Sequence, residues 1–220
     1  MGTLLNRRRY MGSSGGTPIE CPYITSGLVF WLDGINKGAT DGTWVDLIGG
    51  IDFTNTDAVS NDDHFYFNGS TSVMKNLTKN LSSVGSVFTV ESCFYAENGG
   101  AIMYSGPGNN TSLPMLKLDQ GLYKQRGLKY NLGSYTNTNS TLSLTDGLGI
   151  RNGVTLSGTG SDFWGNDCFS IGSGVSSKRY RHQFKGKVFS VRVYSRILTQ
   201  SEMLFNQSVD NIRFNLGLTL

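Results

Sequence analysis

Between Lys187 and Tyr194 apolar and polar positions trade places at nearly every step. Val188, Ser190, Arg192 and Tyr194 oppose Phe189, Val191 and Val193, a period of two that predicts a β-strand. The run Ser86–Tyr95 behaves alike: Val87, Thr89, Glu91 and Cys93 fall on one side, Phe88, Val90, Ser92 and Phe94 on the other. Gly27-Leu-Val-Phe-Trp-Leu-Asp33 is almost wholly apolar and bounded by glycines, which suits a strand buried on both faces. Shorter strands are expected at Thr43–Leu47, Ile51–Phe53, His64–Phe67, Ala101–Ser105, Leu113–Leu118, Leu122–Tyr130, Thr141–Leu144 and Cys168–Ile171. Gly149–Thr155 carries Asn152-Gly153 at its centre and reads as a hairpin, because both residues tolerate the positive φ of a tight turn. Helical spacing emerges once. Thr199-Gln-Ser-Glu202 is a capping box, followed by Met203, Leu204 and Gln207, and predicts a helix of two to three turns.

Composition agrees with this reading. The chain has 220 residues, 29 of them Gly, 12 Phe and 10 Tyr, and only 16% are charged. Aromatic residues fit pleated surfaces, and Gly and Asn fit the turns between them. A chain of this length buries roughly 70% of its unfolded surface and needs no disulfide or metal to hold together. Cys21, Cys93 and Cys168 cannot all pair within one chain and match no zinc spacing, and His64 and His182 stand alone; Cys93 and Cys168, each in an apolar run, read as buried free thiols.

Charge is unevenly placed. The net +3 equals the contribution of Arg7, Arg8 and Arg9, since the first acid is Glu20, so residues 20–220 are neutral overall. Residues 1–20 combine this basic cluster with a Ser/Gly linker and read as a flexible arm, with residues 21–220 as the folded domain. No apolar stretch approaches the roughly 20 residues of a membrane span, and no apolar region follows the arginines as in a signal peptide.

Several segments, in this order, resemble the laminin-G-like, concanavalin A-like jelly-roll superfamily: Gly27–Asp33, Trp44-Val-Asp-Leu47 with Gly49-Gly50, Phe65-Tyr-Phe-Asn-Gly69, Phe88–Phe94, Arg151-Asn-Gly153, and Phe184–Tyr194 followed by Arg196–Glu202. The resemblance covers about residues 26–210 and implies an all-β, two-sheet antiparallel sandwich with one short C-terminal helix. The arm Asn6–Gly12 and the tail Asn206–Phe214 look like proteins of tailed bacteriophages. This second resemblance implies a fibre or capsid-decoration protein at the virion surface, made in the host bacterial cytoplasm. Arg7, Arg8, Arg9 and Tyr10 would then anchor it to other virion proteins, and a symmetric homo-oligomer is expected.

Candidate chemistry points to binding and not to turnover. Glucanases of this fold need carboxylates converging from one strand face, whereas Glu91 is the only carboxylate of its strand and is expected to face solvent or bond a neighbour. Asp62-Asp63 and Asp162/Asp167 are loop acids of the kind calcium takes, yet each is as readily a solvated charge, and no metal site is assigned. For sugars the useful groups are loop aromatics beside polar side chains. Tyr135 with Asn137, and Trp164 with Asp162, have that setting and are the candidate glycan-binding residues. Lys178, Arg179, Arg181, Lys185 and Lys187 form a basic stretch without an acid, read as a loop before the last strand, where it is a solvated face or contacts an acidic glycan or neighbouring subunit. Nucleic acid is disfavoured for want of stacking residues beyond Tyr180. The expected function is thus a non-catalytic virion structural or adhesion protein that recognises surface polysaccharide. The alternatives are a free carbohydrate-binding module and, more distantly, a glycosidase with an unusual site.

Overall fold

The computed structural model describes residues 9–10, 19–37, 43–76, 87–105, 113–118, 129–130, 136–145, 148–159, 169–175, 180–181 and 183–220. Two antiparallel sheets face each other. The larger has eight strands, in the order Val154–Leu156, Leu148–Arg151, Thr138–Thr145, Thr89–Ala96 and Lys185–Tyr194. The last of these is long enough to pair with two strands end to end: its first half with Phe65–Asn68, flanked by Val59–Ser60, and its second half with Leu28–Asp33. The smaller sheet has six strands, ordered Leu113–Leu118, Gly100–Ser105, Phe169–Ile171, Val73–Asn76, Ile51–Thr56 and Thr43–Asp46. Within residues 1–20, Arg9–Tyr10 pairs antiparallel with Ile19–Glu20.

The main core fills the space between the sheets. Phe30, Leu32, Phe65, Phe67, Val90, Phe94 and Leu142 enter it from the larger sheet, and Trp44, Phe53, Met74, Ile102 and Ile171 from the smaller. The expectation for Leu28–Asp33 holds: Phe30 and Leu32 point into this core, while Leu28 and Trp31 pack into a second cluster on the outer face with Tyr23, Tyr194 and Met203.

The two aspartates of the opening motifs are turn caps. Asp33 Oδ1 accepts from the Ile35 and Asn36 amides, and Asp46 accepts from the amides of Trp31, Ile48 and Gly49. In Phe65–Gly69, Asn68 Oδ1 accepts from the amides of Ser70, Thr71 and Ser72 and closes the turn. Asn152 and Gly153, at φ 48° and 78°, form the expected hairpin turn.

Two expectations are corrected. The alternation over Lys187–Tyr194 changes phase at a bulge between Val188 and Ser190, so Val188 joins Val191 and Val193 in the core. Phe189 turns instead to the outer face, against Phe214 and Leu216. The helix runs Gln200–Arg213, 14 residues and about four turns. Its capping box at Thr199 and Glu202 is as expected. The helix reaches beyond its apolar residues because its last turns bury polar ones, Asn206, Gln207 and Asp210, against the sheet.

Candidate functional site

The outer face of the eight-stranded sheet divides into a covered half and an open half. Under the helix, Glu91, Ser143, Ser190, Arg192 and Tyr194 project outward from three neighbouring strands and meet Asn206, Gln207 and Asp210 of the helix. The Arg192 guanidinium forks onto both Asp210 oxygens at 2.8 and 2.6 Å, bonds Glu91 Oε2 at 3.0 Å, and lies 3.9 Å from the centre of the Tyr23 ring. Tyr23 Oη donates to Asp210 Oδ1 at 2.8 Å. Burial opposes the Arg192 charge, but Asp210 and Glu91 outweigh it and hold the guanidinium protonated. Burial pushes the Glu91 carboxyl above its usual range, against the pull of Arg192 and Ser143. Arg192, Ser143 and Asn206 nevertheless all present hydrogens to it, the pattern an ionised carboxylate accepts. Glu91 thus bonds its neighbours, as one expectation had it, and does not face solvent: it is fully buried.

Acids and a base buried together can mark a catalytic site, yet the environment here is that of a structural network. Glu91, Arg192 and Asp210 have no accessible surface, and their bonds run to one another and to the helix that covers them. The tail after the helix extends the cover. Phe214 and Leu216 close over Cys93 and Phe189, and the Leu216 carbonyl accepts from Asn139 Nδ2. Cys21 and Cys93 are buried free thiols, as expected for Cys93; burial raises the Cys21 thiol to about 11.

At the edge of the tail, which Asn139 and Tyr95 still touch, the same face opens. Strand register places Asn139, Tyr95, Lys187, Tyr66 and Val59 in one row across five strands. Their backs are Phe94, Val188, Phe65 and Phe67, which alternation sends into the core. Tyr66, Tyr95, Lys187 and Asn139 are half-buried and Val59 is exposed, so the row is a shallow aromatic floor with polar tips. Tyr66 and Tyr95 stand two strands apart, roughly 10 Å by ordinary strand spacing. Lys187, between them, places its ammonium 5.6 Å from the centre of the Tyr95 ring.

One step along the strands, Lys185 Nζ meets Glu97 Oε2 at 2.8 Å, and Tyr66 Oη donates to the same oxygen at 3.4 Å. The hydrogen bond from Lys185 holds the Glu97 carboxyl below its usual range, and burial, reinforced by Glu97, raises the Tyr66 phenol. Asn98 Oδ1 accepts from the Lys185 amide at 2.8 Å and seals this end. At the other rim His64 lies tilted against Phe189 with ring centres 5.4 Å apart, its Nδ1 2.6 Å from Asp63 Oδ1. Among the described residues no group of three or more His, Cys, Asp or Glu side chains is placed to hold a metal ion.

Of the glycan-binding candidates, Asn137 is described. It is exposed in a left-handed turn at φ 57°, its amide bonded to the Ala96 carbonyl at 2.6 Å, at the end of the open half. Tyr135, Trp164 and Asp162 lie outside the described residues, as do Asp167, Cys168, Arg7 and Arg8. Lys185 is corrected in place: it belongs to the last strand itself, not to a loop before it, and Lys187 lies in that strand as the alternation predicts. Tyr66 and Tyr95 escaped sequence reading, although their signal is visible. Each is an aromatic at an outward position, Tyr66 between Phe65 and Phe67 and Tyr95 between Phe94 and Ala96.

No protein-family model matches this chain, and no curated protein resembles it in sequence. Solved structures do resemble it in three dimensions. Trypanosoma rangeli sialidase in complex with sialic acid superposes with a TM-score of 0.62 at 20% identity, over 94% of this chain and 37% of its own. Domain 4 of AbnA, a GH43 extracellular arabinanase from Geobacillus stearothermophilus, in complex with arabinotriose, gives 0.51 at 16% identity, over 81% and 97%. The botulinum neurotoxin serotype D binding domain gives 0.54 at 12% identity, over 85% and 53%. The chain therefore spans little more than a third of the sialidase. At such identities the likeness is one of fold: this chain is a two-sheet, antiparallel, jelly-roll-like β-sandwich closed by one helix.

Proposed function

We propose that this sandwich is a non-catalytic carbohydrate-binding domain whose site is the open half of the outer sheet face. The row Asn139–Tyr95–Lys187–Tyr66–Val59 carries the reading. Tyrosine rings and a lysine stem on a rigid sheet offer a flat apolar floor for the faces of sugar rings, while Asn139, Glu97 and the phenols supply donors and acceptors for hydroxyls. Sheet positions hold these groups more firmly than loops do. Two neighbours of the same fold were solved with saccharides, sialic acid in one and arabinotriose in the other, which accords with this class of ligand. A binding role without turnover is favoured because Glu91 and Asp210 are sealed beneath the helix and bonded to Arg192. The wider setting proposed is display on a virion, in a homo-oligomer attached through Arg7, Arg8, Arg9 and Tyr10, as the sequence resemblance implies.

The test is a glycan array at high protein density, followed by calorimetry on the strongest hits with Tyr66→Ala and Tyr95→Ala. Each truncation is expected to weaken binding about two- to tenfold, the worth of roughly 0.5–1.5 kcal/mol for one aromatic contact. Binding that survives both substitutions unchanged places the site elsewhere, and an array without hits overturns the reading.

A further inference from the structure

One cation of the open face has no ion-pair partner among the described residues. Lys185, the outward residue at one end, is neutralised by Glu97 at 2.8 Å. Asp63, at the opposite rim, is hydrogen-bonded to His64 at 2.6 Å, an imidazole whose protonation burial disfavours. Lys187 lies between these two pairs, and among the described residues no carboxylate comes within ion-pair distance of its ammonium. It is held instead over the Tyr95 ring, at the centre of the row. A cation kept over an aromatic face, with no carboxylate of the described residues in contact with it, is a place where one negative charge can pair.

From this the geometry points to an acidic saccharide as the ligand: a pyranose whose apolar face lies on Tyr66 and Tyr95 while its anionic substituent, carboxylate or sulfate, pairs with Lys187. The inference rests on the binding platform proposed above and goes on to name the chemistry it selects. A neutral sugar can use the rings but leaves the ammonium without a counter-charge. The acidic one gains a charge-assisted hydrogen bond, roughly twice as strong as a neutral one. The chain leading into this strand agrees in sign, since residues 178–187 hold five Lys or Arg and no acid. Lys185 and Glu97 then act as spacers. Their mutual pair leaves Glu97 little repulsion to exert on an incoming anion, and Tyr66 Oη is held by Glu97 at the edge of the floor.

The experiment uses the full chain and three probe sets: oligogalacturonates, heparin oligosaccharides and neutral dextran oligosaccharides, titrated calorimetrically at about 50 mM and about 500 mM salt. The wild type is expected to bind an acidic set at least tenfold more tightly than dextran, and to lose most of that margin at high salt, where the screening length falls to a few Å. Lys187→Gln is expected to remove about tenfold of acidic-set affinity and to lower any dextran binding by a smaller factor, since the shorter stem still covers part of the floor. Lys185→Gln should cost less than Lys187→Gln. Thermal melts confirm that each variant is folded. Carboxylated and sulfated ligands are told apart by which acidic set responds. Equal affinity for acidic and neutral sets, with both sensitive to Tyr95→Ala, overturns the acidic specificity and leaves the platform standing. Loss of nothing on Lys187→Gln overturns it too. Absence of binding to all three sets and to the array removes both readings together. A single-stranded DNA oligomer bound with the same Lys187 dependence overturns the saccharide assignment in favour of a phosphate backbone.

Discussion

Asp210→Asn is the sharpest probe of how this fold is held together. Asp210 receives two guanidinium bonds from Arg192 at 2.8 and 2.6 Å and a phenolic bond from Tyr23 at 2.8 Å, all in a space closed to solvent. The substitution keeps the volume but removes the charge and replaces one acceptor oxygen by a donor amide. Arg192 then retains Glu91 and Ser190, and the side that faced Asp210 meets either a neutral oxygen or an opposed N–H. Breaking one side of a buried ion pair costs about 3–5 kcal/mol. Domains are stable by only about 5–15 kcal/mol, so the loss is a large fraction of the whole. For a chain of this size each kcal/mol moves Tm by about 2–4 °C, so the expected fall is roughly 6–20 °C. Urea unfolding followed by tryptophan fluorescence measures it directly, and is well placed because Trp31 sits in the cluster beside the network. A change below about 1 kcal/mol would refute the reasoning, since it would mean that water reaches Arg192 and that the helix does not seal the sheet. A companion measurement on Glu91→Gln sharpens the point. If the acids act as one network around Arg192, the double variant should cost less than the sum of the single ones.

Two further outcomes follow from local geometry. The hydrogen bond from Arg196 lowers the Glu202 carboxyl from 4.5 to about 2, so its stabilisation is complete above pH 4.5 and lost as pH falls from there toward 2. The pair is partly exposed, and screening reduces its worth to about 1 kcal/mol. Glu202→Gln should therefore flatten that part of the stability–pH curve, and an unchanged acid limb in urea titrations would count against the assignment. Gly172 has φ 83°, and a Cβ there would stand 2.0 Å from Phe67 Cδ1 in the core. Gly172→Ala is expected to cost about 1–3 kcal/mol for backbone strain and about 1–3 kcal/mol for overpacking; a neutral melt would disprove it.

Strand identity was legible wherever a segment keeps one face apolar over many residues. Thr89–Ala96, Leu28–Asp33 and the Asn152-Gly153 hairpin could be read directly, because alternation and positive-φ residues are local properties of the chain. The capping box at Thr199 and Glu202 was legible for the same reason. Val73–Asn76 was not, since four residues of mixed character carry no period, and their neighbours in the sheet come from distant parts of the chain.

The tertiary structure decided what the outward-facing polar residues do. Asn206, Gln207 and Asp210 look like the solvent side of a helix, and Glu91 and Arg192 like the solvent side of strands. Only docking of the helix turns them into each other's partners. The bulge at Phe189 follows from pairing with Thr89–Ala96, and it shifts half a strand from one face to the other. The platform has the same origin. Tyr66, Tyr95 and Lys187 lie far apart in the chain, and nothing in the sequence around each one alone links it to the others. Alternation determined that Tyr66 and Tyr95 point away from the core; the bulge turned Lys187 outward with them, and strand order, which depends on long-range pairing, put the three side by side.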